Sequence, residues 1–404
     1  MSHAEQDNRP FLLHTAPLWQ RSICRRLSQM THGRLTLVFP GGQEYVLQGR
    51  EPGPHGVMSI NRGRLVRRLL TGGSMGLARA YLDGDWDSPD IATLLELAIA
   101  NEDKLMALSE PSRLIAAIDY LRHRLRRNSK AGSRRNIAFH YDLGNSFYRA
   151  WLDETMTYSS ALFATPGLSL AEAQMAKYDR IVEDLAIGPN DHVLEIGCGW
   201  GGFADYAMTK TGCRVTGLTL SQEQAAFARE RLEKAGFSER SDIRLEDYRD
   251  CRGQYSKIVS IEMFEAVGEE NWPTYFEKVR ALLAPGGRAI IQVITIDETR
   301  FDAYRRNADF IQAYIFPGGM LPSVDAFCRA AAGAGLTVTD MLRFGKDYER
   351  TLLLWDRAFM ASFEAIKPLG FDERFRRMWQ YYLHYCAVGF RTGRLDVVQF
   401  TLSR

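Results

Sequence analysis

The stretch Leu194–Gly202, LEIGCGWGG, decides the fold class of this chain. It ends the apolar run His192–Ile196 and leads into a helical pattern near Phe203, which predicts a strand, a glycine loop and a helix in succession. The loop glycines carry no Cβ, so the backbone can turn sharply and approach a ligand closely. Neither the Walker loop nor the full dinucleotide fingerprint is present. The loop therefore predicts an adenosyl group with a short amino-acid tail rather than a pyrophosphate.

Strand and helix patterns alternate around this loop. The predicted strands are His192–Ile196, Arg214–Leu218, Asp242–Leu245, Lys257–Ile261, Ala289–Ile294, Leu336–Leu342 and Val397–Leu402. Helical stretches between them predict an α/β fold with a doubly wound, mainly parallel sheet. In such sheets ligands bind beyond the carboxyl ends of the strands, where the strand order reverses. We expect the site at the loops after the first, second and fourth of these strands.

A smaller module precedes the sheet. Residues 33–47 alternate apolar and polar side chains around a Pro-Gly-Gly turn, which predicts a β-hairpin. Arg64–Leu70 and Ile91–Leu108 have helical patterns, and the basic segment Arg122–Asn136 has no apolar periodicity, so we expect a linker there. The predicted domains are an N-terminal α+β domain, residues 1–130, and a larger α/β domain, residues 131–404.

Composition excludes several classes of protein. Of the 404 residues, 46% are hydrophobic and 25% are charged, which is the balance of a folded globular chain. Apolar stretches such as Ala289–Ile296 fall short of the roughly 20 residues of a transmembrane helix, and the N-terminus lacks a signal-peptide pattern. The six cysteines form no CxxC pair, and no histidine has metal-ligand spacing. We expect reduced thiols, no metal and a cytoplasmic location.

The charge is unevenly distributed along the chain. Residues 1–135 carry a net charge of +7, whereas residues 136–404 carry −5. A basic first third can meet nucleic acid, an anionic membrane surface or only solvent.

Motifs outside the glycine loop carry a more specific signal. They are HYDLGNSFYRAWLDETMTYSSALF (residues 140–163), TLSQEQ (219–224), EMFEAVG (262–268), YIFPGGMLPS (314–323) and YYLHYCAVGFRTG (381–393). Together with the loop they resemble the cyclopropane fatty acid synthase family, strongly over residues 130–404 and more weakly in the front module, through Gly76–Asp90. The resemblance implies a Rossmann-like, seven-stranded class I methyltransferase domain behind a smaller α+β domain. It also implies one-carbon transfer from S-adenosylmethionine to the cis double bond of an unsaturated acyl chain in a membrane phospholipid.

The resemblance assigns cofactor contacts by position. They are Tyr158 and Ser159 at the methionine end, Gly197, Cys198 and Gly199 in the glycine loop, Thr219, Leu220, Ser221 and Gln224 at the ribose, and Asp247 with Tyr248 at the adenine. Glu195 lies beside the loop and can steady it or the ammonium of the ligand. Many methyltransferases have an acid at the end of the second strand, where Gln224 can supply the hydrogen bonds instead. A helix N-cap is the alternative role for Ser221.

Ring closure sets the remaining requirements. Methylating an alkene produces a carbocation, which aromatic faces stabilise and which water would quench. A base must then remove a proton from the delivered methyl group. The resemblance implies a bound bicarbonate as this base, with Glu265 and Tyr348 matching two of the residues that hold it. Ser160 replaces the usual cysteine, and Gln292 replaces a histidine, although glutamine cannot take up a proton near neutral pH. His140 is a further catalytic candidate.

Aromatic side chains in the motif segments are candidates for stabilising the cation. They are Tyr141, Phe147, Tyr158, Phe163, Phe264, Tyr314, Phe316 and Tyr348. For each of them taken alone, core packing is the alternative interpretation.

Ser160 and Gln292 leave the product open. We favour a cyclopropane ring, and the alternative is a methyl-branched unsaturated acid of the type that feeds furan fatty acid synthesis. A methyltransferase for RNA or a small polar metabolite would suit the basic front, but the apolar segment Phe310–Pro322 argues against it. A non-catalytic lipid-binding protein on a retired methyltransferase fold is supported only by the two altered residues.

An enzyme acting on phospholipid acyl chains must dock on a bilayer. The basic residues expected to attract anionic lipid are Arg62, Arg64, Arg67, Arg68 and the run Arg122–Arg127. Leu69, Leu70 and Met75 are expected to insert shallowly. We therefore predict peripheral association with the inner face of the cell membrane and no nucleic-acid partner, and we leave open whether the chain forms a homodimer.

Overall fold

A computed structural model describes residues 16–108, 132 and 143–404. These residues belong to two compact units. The first contains residues 16–108 with Asp372–Val388, and the second contains residues 143–371 with Gly389–Arg404. Apart from Gly132, the predicted linker Arg122–Asn136 lies outside the described residues.

The first unit is an α+β module. Its strands β1 (His32–Val38), β2 (Glu44–Gln48), β3 (Glu51–Ile60) and β4 (Trp86–Asp87) form a sheet in the order β2-β1-β3-β4. Its helices are Leu18–Leu27, Arg64–Leu82, Ile91–Ala100, Glu102–Leu108 and the part of Glu373–Arg391 that ends at Val388. The predicted hairpin is confirmed as the antiparallel pair β1 and β2. The predicted helix at Arg64 continues to Leu82 across a break at Gly73, which has φ 52°.

Acidic residues neutralise much of the predicted basic surface in this unit. Asp85 is fully buried and lies 2.5 Å from Arg64, 3.1 Å from Arg68 and 3.8 Å from Arg62. Arg68 also pairs with Asp83 at 2.7 Å, whereas Arg67 is exposed. Leu69 and Leu70 line an apolar cavity within the unit. The arginines of this helix therefore differ in role. Arg64 and Arg68 form ion pairs that stabilise the unit, whereas Arg67 is exposed to solvent.

The second unit is built on one large sheet. Its strands are β5 (His192–Ile196), β6 (Arg214–Thr219), β7 (Ser241–Leu245), β8 (Tyr255–Ile261), β9 (Leu283–Ile296), β10 (Thr337–Arg343) and β11 (Leu395–Ser403). The order in the described part of the unit is β10-β11-β9-β8-β5-β6-β7, with β5 to β9 parallel and the last two strands antiparallel. All seven strands match the prediction.

Helices flank this sheet. They are Asn145–Arg149, Leu170–Asp184, Gly202–Thr211, Gln222–Lys234, Trp272–Leu282, Glu298–Tyr304, Phe310–Tyr314, Val324–Gly333 and Gly345–Ile366. Several begin at a side-chain cap, such as Ser169, which forms a reciprocal capping box with Glu172. The central strands are buried on both faces, which explains their nearly continuous apolar sequences. Within the described ranges, no helix is long and apolar enough to cross a membrane.

Candidate active site

The glycine loop turns directly after β5. Gly197 and Gly199 have φ of 88° and 50°, a region that side chains with a Cβ rarely adopt. The N–H groups of Gly197 and Cys198 both donate to the Leu218 carbonyl at 2.9 Å, which ties the loop to β6. A Cβ at Gly197 would lie 2.8 Å from Cγ of Met263, whereas one at Gly199 would meet no atom of the described residues within 4 Å. Among those residues nothing covers the Gly199 backbone, as close approach by a ligand requires.

Glu195 carries an unpartnered acceptor beside this loop. The residue is buried, and its Oε2 has no hydrogen-bond partner among the described residues. Burial raises the pKa of Glu195 well above its usual range, while the charge of Lys177 acts in the opposite direction. A buried carboxyl oxygen normally has a partner. The orphaned atom would suit the ammonium of an amino-acid tail, which is one of the two roles expected for Glu195.

The residues predicted at the ribose follow β6. The Thr219 hydroxyl donates to the Gln224 side-chain oxygen at 2.8 Å. The Ser221 hydroxyl accepts from the Gln224 backbone N–H at 3.3 Å, so Ser221 is the N-cap of helix Gln222–Lys234. Leu220 lies between Thr219 and Ser221 in the chain and is partly exposed. The Gln224 amide nitrogen, and the second lone pair of its oxygen, can then meet ribose hydroxyls.

The residues predicted at the adenine follow β7. Arg249 holds Asp247 through its backbone N–H, at 3.0 Å, and its guanidinium, at 2.8 and 2.6 Å. Tyr248 packs edge-on against Tyr275, with ring centroids 5.3 Å apart. Burial raises the pKa of Tyr248 to about 12, and its hydroxyl has no partner within the described ranges. This hydroxyl can therefore receive a polar group of a ligand at this end of the site.

The segment before the sheet brings Tyr158 and Ser159 to the site. Tyr158 packs against Trp355, with ring centroids 5.2 Å apart. The Ser159 hydroxyl accepts from Nζ of Lys177 at 2.7 Å. Lys177 is fully buried, and burial lowers its pKa to about 7. Sequence analysis missed this lysine, although its place on the apolar face of helix Leu170–Asp184, four residues from Ile181, was a usable signal.

A carboxylate that was not predicted lies at the centre of the site. Oε1 of Glu262 accepts from the Ser160 backbone N–H at 2.8 Å and from Nε2 of Gln292 at 2.7 Å. Its Oε2 accepts from the Tyr348 hydroxyl at 2.7 Å. Burial raises the pKa of Glu262, while these three donors and Lys177 oppose the shift. The structure therefore brings three of the predicted catalytic residues together on one side chain.

A hydrogen-bond relay fixes the orientation of Gln292. The Arg180 guanidinium donates to Oε1 of Gln399 at 2.6 Å, and Nε2 of Gln399 donates to Oε1 of Gln292 at 2.9 Å. A guanidinium has no acceptor, so each amide in the relay must present its oxygen toward Arg180. Gln292 is thereby left to donate, and its partner atom on Glu262 must accept.

Glu265, three residues after Glu262, has fewer hydrogen-bond partners than Glu262. Its Oε1 accepts from the Ile294 N–H at 2.5 Å, and its Oε2 is buried without a partner among the described residues. Burial, followed by the charge of Glu262, raises the pKa of Glu265 to about 8. Its backbone carbonyl accepts from the Met320 N–H at 2.8 Å, which ties Glu265 to the predicted apolar segment.

The predicted bicarbonate site can be tested against these contacts. The donors of Ser160, Gln292 and Tyr348 are directed at Glu262, and the Ser160 hydroxyl donates to the Ala161 carbonyl at 3.0 Å. With Glu262 in place, these residues do not offer bicarbonate a free set of donors. His140 lies outside the described residues.

The aromatic candidates separate into core and site. Phe147 and Phe264 are fully buried among other rings, which is core packing. Tyr158 and Tyr348 both contact Trp355 and line the surroundings of Glu262. Tyr141 lies outside the described ranges. Over those ranges, no group of three or more His, Cys, Asp or Glu side chains is placed to hold a metal ion.

Sequence comparison identifies the relatives of the chain. The family model of the mycolic acid cyclopropane synthetases matches residues 128–400. A tuberculostearic acid methyltransferase of Mycobacterium tuberculosis is 40% identical over 393 residues, which cover 95% of this chain and 91% of the relative. The cyclopropane-fatty-acyl-phospholipid synthase of Escherichia coli is 36% identical over 341 residues, which cover 84% of this chain and 85% of the relative.

Solved structures give the same result. The mycolic acid cyclopropane synthase CmaA1, complexed with SAH and CTAB, matches with a TM-score of 0.62 and 33% identity. The cyclopropane synthase MmaA2 from Mycobacterium tuberculosis matches with a TM-score of 0.63 and 31% identity. Each match covers 67% of this chain and 98% of the other chain.

Proposed function

The chain belongs to the mycolic acid cyclopropane synthetase family, and we propose that it transfers a one-carbon unit from S-adenosylmethionine to the cis double bond of an unsaturated fatty acyl chain. The second unit has the class I methyltransferase fold of its structural relatives. The observation that carries the proposal is the half-buried carboxylate Glu262, held by three donors next to the residues predicted at the methionine end of the cofactor.

The residues present fit the cofactor. The bare backbone at Gly199 would admit it, and the orphaned oxygen of Glu195 would receive its ammonium. When bound, S-adenosylmethionine supplies an electrophilic methyl group on a sulfonium centre. Ser159, held by Lys177, and Tyr158, packed on Trp355, would line that end of the cofactor.

The apolar surroundings expected for the acyl chain support the same assignment. The segment Phe310–Pro322 supplies buried apolar side chains such as Phe310, Ile315 and Met320, which suit a hydrocarbon rather than a polar substrate. CTAB, present in the CmaA1 structure, is a detergent with a long alkyl chain. The rings of Tyr158 and Tyr348, backed by the buried Trp355, would offer π density to a developing cation without offering a nucleophile.

We propose a cyclopropane ring as the main product, because a buried base can remove a proton from the delivered methyl group. A methyl-branched acid is the second candidate product. It is favoured by the 40% identity to a tuberculostearic acid methyltransferase over nearly the whole chain.

Product analysis tests the proposal. The protein is incubated with monounsaturated phospholipid vesicles and methyl-labelled S-adenosylmethionine, and the fatty acids are analysed by gas chromatography and mass spectrometry. We expect a gain of one CH2 with a saturated three-membered ring. A methyl-bearing double bond would establish the second product, and unlabelled lipid would refute the assignment.

We further propose that the reaction takes place at a bilayer surface. Arg21, Arg25 and Arg67 are exposed in the first unit. Exposed cationic side chains attract anionic lipid by about 1 kcal/mol each. The enzyme would then work as a peripheral membrane protein.

A further inference from the structure

We propose that Glu262 is the base of the reaction and that its carboxylate takes the place of a bound bicarbonate in this chain. The inference rests on the function proposed above and names the group that receives the proton.

The donor set carries the inference. The Ser160 N–H, the Gln292 amide and the Tyr348 hydroxyl belong to residues expected to hold bicarbonate, and all three donate to Glu262 at 2.7 to 2.8 Å. A carboxylate and bicarbonate present similar oxygen acceptors. Two anions cannot share one set of three donors, because each would lose its hydrogen bonds and repel the other. The site is complete with its own carboxylate.

The relay behind the site directs a donor at Glu262 and so favours its charged form. Arg180, Gln399 and Gln292 can be satisfied together only when Gln292 donates. Hydrogen bonds donated to a carboxylate favour its charged form. A carboxylate has about four acceptor positions, and contacts with the described residues occupy two on Oε1 and one on Oε2. Oε2 therefore retains a position that can receive a proton.

The backbone places this oxygen near the reaction. Glu262 follows β8 with φ 50°, a left-handed conformation that is rare outside glycine and concentrates at functional sites. The Cβ and Cγ of the next residue, Met263, lie against Gly197 of the cofactor loop. Ser160, one of the donors, directly follows the predicted methionine-end pair Tyr158 and Ser159. Glu262 as a residue is half-buried.

The proposed step balances without a co-reactant. Methyl transfer leaves a carbocation on the acyl chain. A C–H bond of the delivered methyl group breaks, its electron pair forms the C–C bond that closes the ring, and the proton passes to Oε2 of Glu262. The cation becomes neutral and the carboxylate becomes a carboxylic acid, which returns its proton to water.

The test compares wild type with Glu262→Gly, because glycine adopts φ 50° without strain and frees all three donors. In CO2-depleted buffer we expect wild-type product formation to stay within twofold of its rate with bicarbonate. We expect the variant to lose about 100-fold or more, the range of general-base catalysis, and to recover at least tenfold with added bicarbonate. Ala186→Gly is the matched control, because Ala186 is exposed, has φ 49° and lies outside the site.

A binding measurement separates this inference from the proposed function. In 13C NMR of labelled bicarbonate, we expect line broadening with Glu262→Gly but not with wild type or Ala186→Gly. Broadening with wild type that Glu262→Gly abolishes would overturn the inference, whatever the substrate. So would wild-type activity that requires bicarbonate, or full activity of Glu262→Gly without it. Absence of labelled lipid with wild type, while the NMR result holds, would refute the substrate and leave the anion site in place.

Discussion

Glu262 and Glu265 lie three residues apart, and burial raises the pKa of both, but their hydrogen-bond partners differ. Glu262 accepts three hydrogen bonds, whereas Glu265 accepts one and leaves Oε2 buried without a partner within the described ranges. The charge of Glu262 further raises the pKa of Glu265 to about 8. At neutral pH Glu265 is therefore protonated.

The pH dependence of stability tests this state of Glu265. Its pKa is about 8 in the folded chain against an ordinary 4.5, so between these values the folded state keeps a proton that the unfolded state releases. Because of Glu265, the free energy of unfolding falls as pH rises through this range, by at most about 1.4 kcal/mol per pH unit. We expect Glu265→Gln to gain stability relative to wild type between pH 5.5 and 7.5, measured by urea unfolding.

The control for this prediction is Glu270→Gln, which changes an exposed carboxylate in the same loop region. Its stability difference from wild type is expected to be the same at both pH values. A pH-independent difference for Glu265→Gln would show that the carboxyl is already ionised at pH 5.5.

At the scale of elements, the strands of the large sheet and the glycine loop were predictable from the sequence, whereas the contacts of Glu262 were not. The central strands of the large sheet are local apolar runs. Glu262 meets Gln292 because β8 pairs with β9, with Ile261 opposite Gln292, and sequence patterns do not specify that register. Strand β3 was missed because Pro52, Gly53, Pro54 and Gly56 suggest a turn, while its partner β1 lies earlier in the chain and runs parallel.

The pairing of β9 with β11 makes the orientation of Gln292 testable. Gln399→Glu can still accept from Arg180 but cannot donate to Gln292, so the Gln292 amide should turn its oxygen toward Glu262. Loss of a donor, and its replacement by an acceptor, raises the pKa of Glu262. We expect the acid limb of the pH profile of kcat/KM for labelled-lipid formation to move up by about one pH unit or more.

Gln399→Met is the companion variant. It removes the donor to Gln292 without adding a charge, so its acid limb should move less. Circular dichroism verifies that both variants fold. Equal shifts for the two variants would mean that burial of Gln399, rather than the direction of its hydrogen bond, determines the effect.

The loop after β5 gives a second prediction at this scale. Gly197→Ala would force a Cβ to φ 88° and place it 2.8 Å from Cγ of Met263. We expect a loss of about 1–3 kcal/mol of stability and about tenfold weaker S-adenosylmethionine binding, measured by chemical unfolding and calorimetry. Gly188→Ala is the control, because its Cβ would meet only Asp191, at 3.9 Å. Wild-type affinity in Gly197→Ala would mean that the loop does not contact the cofactor.

At the scale of the molecule, charge is unevenly distributed along the chain. The first third of the chain is basic and the rest is acidic, but the sequence could not reveal that buried Asp85 already holds Arg64 and Arg68. Substituting Arg68 would weaken the ion pairs around this buried carboxylate and destabilise the first unit. Docking must therefore be tested with arginines that do not support the fold.

Exposed arginines of the first unit provide that test. In a triple variant, Arg21, Arg25 and Arg67 become Glu, which replaces three attractions to anionic lipid with three repulsions. We expect at least tenfold weaker co-sedimentation with vesicles containing phosphatidylglycerol and unchanged calorimetric binding of S-adenosylmethionine. The charge-matched control changes Arg214, Arg252 and Arg357, which are exposed in the second unit, to Glu. If both triple variants lose sedimentation equally, net charge rather than the first unit directs the protein to the membrane. If neither does, electrostatic docking through these arginines is refuted.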